Sequence, residues 1–208
     1  MTNQRTVLVP SGRVVRWFEN FVARHGVVAL TVPSGHLVAT AADGAAATAR
    51  LPFGAAYYGA PDPVAFAAAV APPPLWGILL VRRGGFAVAT VSGLEVQESK
   101  VGQRHVQGRT KAGGQSQQRF ARRRDNQARQ AFEAATEHAH RILVGRPAAL
   151  VCGGDRPAVG IVLSDPRLRH LSDVRVDPWL PVPDPRRAVL DQAVLDGASV
   201  SIDVSEPA

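Results

Sequence analysis

The sequence predicts a mixed α/β fold: a small N-terminal α/β region over residues 1–74, then a larger α/β domain over residues 75–208. Three observations lead there. Pro72, Pro73 and Pro74 stand in a row, and neither a helix nor a central strand continues through three prolines. Beyond them, strand-like runs are joined by two- and three-residue turns, which forces their neighbours antiparallel. A long helical run then leads to a further apolar strand and more helix, the alternation of a layered α/β domain. The 208 residues are enough to bury a substantial core, and a hydrophobic content of 46% is that of a globular chain.

In the first region, residues 6–9 read as a short strand. Residues 11–24 read as a helix because Val14, Val15, Phe18, Phe21 and Val22 recur at helical spacing, and Gly26 stops it. Residues 27–32, 36–41 and 45–51 read as strands, separated by Pro33-Ser34-Gly35 and Asp43-Gly44 turns. Residues 52–63 are a turn-rich linker holding Tyr57 and Tyr58. Asp62-Pro63 then caps a short helix over 64–70.

The second region is cleaner. Residues 76–82, 86–91 and 94–101 read as strands around an Arg83-Gly84-Gly85 turn and a Ser92-Gly93 turn. A polar, glycine-containing stretch follows over 102–114. A helix of 116–143 comes next, with Ala128, Phe132, Ala135, Ala139 and Ile142 on one stripe and Gly145 and Pro147 as its stop. Residues 148–152 form an apolar strand. Asp155 caps a helix with Pro157 in its first turn, 174–176 is a short strand, Asp184-Pro185 caps a helix through Leu195, and 200–204 is a last strand.

Three antiparallel strands, a helix, a strand and further α/β elements follow the order of the RNase H-like fold. Nucleases on that fold need carboxylates to hold metal ions, one of them on the first strand. Trp76-Gly77-Ile78-Leu79-Leu80-Val81 has none, Glu95 and Glu98 lie on the third strand, and Asp155 is explained as a helix cap. Two-metal nuclease chemistry is therefore not expected. There is no G-x-x-x-x-G-K-[ST] loop, and one cysteine with scattered histidines makes no zinc-finger pattern. No cofactor and no metal are expected. His138 and His140 are two residues apart on a helix and point to different sides, so they read as solvated groups or partners of the helix C-terminus. Cys152 reads as a small core residue and Gly153-Gly154 as a tight strand-to-helix turn.

The net charge of +7 is concentrated. Lys100, Arg104, Arg109, Lys111, Arg119, Arg122, Arg123 and Arg124 fall between Ser99 and Arg124, with no acid among them; the rest of the chain is close to neutral. A basic element on a neutral body is the footprint of a polyanion contact, of which phosphate backbone is the usual case. The bland alternative is a solvated helix face. A single cysteine, no apolar run of membrane-spanning length and no signal-peptide pattern lead to the expectation of a cytoplasmic protein with no membrane partner.

Within the basic window stands Gly113-Gly114-Gln115. The glycines admit backbone angles closed to other residues and a close approach to a partner. Gln115 offers an acceptor and two donors but does not titrate, so it is no general base. It suits ordering a water or donating to an oxyanion. The wider string GGQSxxRFARxR, from Gly113 to Arg124, resembles the catalytic tip and basic helix of the eukaryotic and archaeal class-I release factors. It is more similar still to the Vms-like release-factor family, in its compact actinobacterial branch.

That resemblance spans about residues 75–208. It implies an RNase H-like catalytic domain and a peptidyl-tRNA hydrolase working in ribosome quality control on stalled large ribosomal subunits, with the subunit's RNA and peptidyl-tRNA as partners. Gly113 and Gly114 would shape the tip, Gln115 would position the attacking water in the peptidyl-transferase centre, and the terminal tRNA hydroxyl would relay the proton. Arg109, Lys111, Arg119, Arg122, Arg123 and Arg124 would be the RNA-binding set. The first 74 residues show no codon-reading motif, so stop-codon decoding is not expected. The alternative is a non-catalytic ribosome-binding or structured-RNA-binding protein that uses the basic helix alone.

Overall fold

A computed structural model describes the backbone of residues 3–103 and 115–207 and the side chains of residues 4–102 and 128–207. The chain divides into two compact units, Met1–Pro72 with Leu195–Ala208, and Pro73–Val194. In chain order the first contributes β1 (Asn3–Val9), α1 (Val14–His25), β2 (Val28–Thr31), β3 (Leu37–Ala41), β4 (Ala46–Arg50) and α2 (Pro63–Ala68). The second contributes β5 (Trp76–Arg82), β6 (Gly85–Ser92), β7 (Glu95–Gln103), α3 (Gln115–Ile142), β8 (Leu150–Gly154), α4 (Arg156–Leu163), α5 (Arg169–Asp173), β9 (Arg175–Leu180) and α6 (Arg187–Gly197). The chain then returns to the first unit as β10 (Val200–Glu206).

The first unit is an antiparallel five-stranded sheet in the order β1-β10-β4-β3-β2. Alternation along β10 puts Val200, Ile202 and Val204 into the core, where Ile202 stands opposite Val7 on one side and Ala49 on the other. Val14, Phe18 and Phe21 of α1 pack into the same core. Val22, expected on that stripe, is 44% exposed because it lies at the edge of the helical face. Gly26 ends α1 with φ 76° and donates its amide to Val22 O at 2.8 Å. Asp62 caps α2 as expected, its carboxylate accepting from the Ala65 amide at 2.7 Å.

Here the expected division of the chain changes. The division between the units falls within the proline run, between Pro72 and Pro73, and the last strand, counted by position with residues 75–208, pairs in the first sheet instead. Strand propensity shows that residues 200–204 will pair; it carries no information on which sheet edge they reach.

The second unit is a mixed sheet in the order β7-β6-β5-β8-β9, antiparallel through β5, β6 and β7 and parallel from β5 to β8 to β9. The mixed α/β fold expected from the sequence is present, with the third, second, first, fourth and fifth strands side by side. Both parities of β5 are buried, Ile78 and Leu80 as well as Leu79 and Val81, which is why that strand reads as an unbroken apolar run. The Trp76 indole donates to Gly93 O at 2.9 Å and fixes the turn between β6 and β7.

Two local expectations are corrected. The stop after α3 is made by Arg146, at φ 50°, following a short 3-10 turn over Leu143–Gly145, rather than by Gly145 itself. Asp155 holds the cap position of α4 but its carboxylate makes no capping hydrogen bond; it faces Arg82 at 3.9 Å. Gly153-Gly154 is the tight turn expected. A Cβ on Gly153 would stand 2.6 Å from Leu180 O, Gly154 has φ 88°, and the Asp155 amide is already donated to Val81 O at 2.8 Å. Cys152 is a core residue, its thiol pushed up to about 12 by burial.

Candidate functional site

The candidate residues read from the sequence fall between the end of β7 and the first turns of α3. β7 leaves the sheet at Gln103, paired with Gly85, and the chain returns as α3 at Gln115. Gly113, Gly114, Arg109 and Lys111 lie outside the described residues. Gln115 is the first residue of α3, and Arg119, Arg122, Arg123 and Arg124 follow within its first ten; their side chains are likewise outside the description. The 28 residues of α3 make a rod of about 42 Å.

The C-terminal half of that rod is anchored. Ala131, Ala135, Ala139 and Ile142 are buried against the sheet. Ala128 and Phe132, expected on this stripe, are half-buried at its edge, where Phe132 lines a groove of about 530 Å³ with Arg83, Thr136 and Ile161.

Polar ties hold the same half. Arg141 donates to Glu98 of β7 at 2.5 Å. Glu98, one of the carboxylates on the third strand, is thus committed to an ion pair. Arg167, on the 3-10 turn Pro166–Leu168, reaches Glu137 at 2.6 Å and Asp165 at 3.0 Å. Its guanidinium holds both carboxyls below the usual carboxylate range. Because those folded values are depressed, the contribution is present at neutral pH and is lost as pH falls through them. Arg167→Gln should therefore lower the thermal midpoint slightly at pH 7 and leave it unchanged near pH 2. All these groups are at the surface, so the effect is small, and an equal loss at both pH values would mean that Arg167 contributes by packing.

His138 departs from its sequence reading. It is half-buried, and its ring stacks on Phe86 of β6 with centroids 5.6 Å apart and planes 26° apart. Burial, then the charges of Lys100 and Arg141, push its pKa down. His140, on the other side of the helix, is exposed as expected. Phe86 lies opposite Gly102 on β7, and a Cβ on Gly102 would fall on its ring. A cavity of about 180 Å³ opens here, bounded by Phe86, Lys100, Gly102, Ala131 and His138. Sequence reading missed Phe86, Gly102 and His138 as a group, because only strand register and helix docking bring them together.

Among the described residues no cluster of three His, Cys, Asp or Glu side chains could hold a metal ion, and no helix is long and apolar enough to cross a membrane.

A crystal structure described as the archaeal translation termination factor aRF1 aligns over 93% of this chain and 64% of its own, at 14% identity and a TM-score of 0.42. A second structure, described as an archaeal protein, aligns over 94% of this chain and 66% of its own, at 13% identity and a TM-score of 0.40. This chain thus spans about two thirds of the length of either. No curated protein matches it. A family model described as the Actinobacteria/chloroflexi VLRF1 release factor matches residues 74–203, a span that contains β5 through α6, the Gly113-Gly114-Gln115 string and the basic start of α3. The chain belongs to the actinobacteria/chloroflexi VLRF1 release-factor family.

Proposed function

We propose that this protein is a peptidyl-tRNA hydrolase that frees nascent peptide from tRNA on stalled large ribosomal subunits, as part of ribosome quality control in the cytoplasm. The observation that carries this reading is the coincidence of two features. A release-factor family model covers residues 74–203, and inside that span Gly113-Gly114 runs directly into a 28-residue helix that begins at Gln115. The strand order β7-β6-β5-β8-β9 supports reading the second unit as the RNase H-like catalytic domain.

In this reading the basic start of α3 binds ribosomal RNA and Gln115 enters the peptidyl-transferase centre. A glutamine neither takes nor gives up a full proton there. It orients the attacking water and donates to the developing oxyanion, while the 2′-hydroxyl of the terminal tRNA adenosine carries the proton. A carboxylate in its place would be repelled by the surrounding phosphates. Arg109, Lys111, Arg119, Arg122, Arg123 and Arg124 hold the body against RNA.

The test is release of labelled peptide from peptidyl-tRNA on isolated large subunits, wild type beside Gln115→Ala. Subunit binding without any release would leave the RNA-binding reading. A second measurement addresses the arginines. Affinity for the subunit should fall steeply between about 50 and 200 mM salt, and the double change Arg119→Glu with Arg122→Glu should lower affinity more than it lowers release from the bound state. Binding indifferent to salt and to charge reversal would make this helix a solvated face.

A further inference from the structure

We propose that Phe86 is a positioning residue for the connection that carries Gly113-Gly114: its ring ties the end of β7, from which that connection leaves, to the anchored C-terminal half of α3, the helix on which it returns. The consequence for peptide release rests on the hydrolase reading; the geometry does not.

Phe86 is 4% exposed and stands on β6, inside the edge strand β7. Its partner in register is Gly102, one residue before the described part of β7 runs out at 103. A Cβ built on Gly102 would lie 2.6 Å from Cζ and 3.0 Å from Cδ1 of the ring, and nearer still to Cε1. Gly102 is not among the glycines with positive φ, so its backbone conformation does not call for glycine. The ring does. An aromatic laid over a glycine on an edge strand covers the exposed backbone and holds the strand end in register.

The same ring meets α3. His138 stacks on it, and Ala131 and Ala134 border the same small cavity. Residues 131, 134 and 138 share one helical face, and the two alanines leave the room that the phenyl group needs. The end of β7 and this face of α3 therefore touch one rigid side chain. Arg141 with Glu98 ties the same two elements further along, but through exposed side chains. Phe86 is the buried tie nearest the departure point among those described. A displacement of about 1 Å at such a tie is enough to spoil a reacting geometry by on the order of 100-fold.

The test uses the full chain with Phe86→Ala, Phe86→Leu, Phe86→Tyr and Gly102→Ala, and three measurements on each. These are binding to isolated large subunits, single-turnover peptide release at saturating subunits, and amide hydrogen exchange over 100–103 and 128–138. Phe86→Ala and Gly102→Ala should bind within about twofold of wild type, exchange faster at 100–103, and release peptide about 10- to 100-fold more slowly. Phe86→Tyr, which keeps the flat ring, should restore most of both.

Wild-type exchange at 100–103 in Phe86→Ala would overturn the proposal outright. Release at the wild-type rate in that variant would do so too, as would equal losses of binding and release, which would mark Phe86 as a residue of the fold alone. If Phe86→Ala does not fold, Phe86→Leu and Gly102→Ala decide by the same criteria. A Gln115→Ala control separates the two readings. If it releases peptide as fast as wild type, the hydrolase reading falls, while the exchange result still decides the role of Phe86.

Discussion

Gln115→Ala is expected to keep the fold and the affinity for large ribosomal subunits while peptide release drops by about two to three orders of magnitude, the scale of losing one transition-state donor. The change removes a neutral amide from the first residue of α3 and substitutes the best helix former, so the helix itself has no reason to weaken. On the hydrolase reading, what is lost is a group that acts only when charge develops on the ester carbonyl oxygen and the water attacks. Gly114→Ala should be similarly damaging by a different route, restriction of the backbone rather than loss of a contact. The order of the two variants is informative. If the Gln115 amide side chain carries the chemistry, Gln115→Ala loses at least as much as Gly114→Ala. If the backbone N–H at 115 is the main donor, Gly114→Ala loses more. Single-turnover release on saturated subunits reads this directly, and full activity in both variants would remove the hydrolase reading.

The second large effect concerns stability. A chain ending at Gly197 lacks β10, and the first unit is then expected to unfold as a whole. Val200, Ile202 and Val204 are almost completely buried, and at about 1.5–3 kcal/mol per buried aliphatic side chain their loss amounts to roughly 5–9 kcal/mol. That is comparable to the roughly 5–15 kcal/mol stability of a typical domain. The strand also sits between β1 and β4, so its removal opens hydrogen-bonding edges on both. Hydrogen exchange should show protection lost across β1, β3 and β4. It should be retained in β5, β6 and β8, whose core residues belong to the other unit. Loss confined to β8 and β9 would instead place the last strand in the second unit, as its position in the chain had suggested.

How much of this was legible beforehand can be judged residue by residue. The amphipathic spacing of Val14, Phe18 and Phe21, the Asp62-Pro63 cap, the Trp76–Arg82 strand and the 28-residue helix were all readable, because each depends on neighbours within a turn or two of the chain. Gly113-Gly114-Gln115 with its arginines was readable as a string for another reason: a run of residue types can be recognised whatever its surroundings. That order of residues also carried the release-factor resemblance, and the family match over 74–203 bears it out.

What the tertiary structure alone decided are pairings between residues distant in the chain. Glu98 was one of two carboxylates on the third strand with no role assigned and became the partner of Arg141, 43 residues on. His138 looked solvated and became a ring stacked on Phe86. Gly102 looked like the start of a polar stretch and is the floor beneath that ring. β10 looked like the last strand of the second domain and became the second strand of the first sheet. The physical reason is the same in each case. Propensity and periodicity specify what a segment can bury or donate, whereas the partner is chosen by register and docking across the whole chain, where the local sequence carries no address.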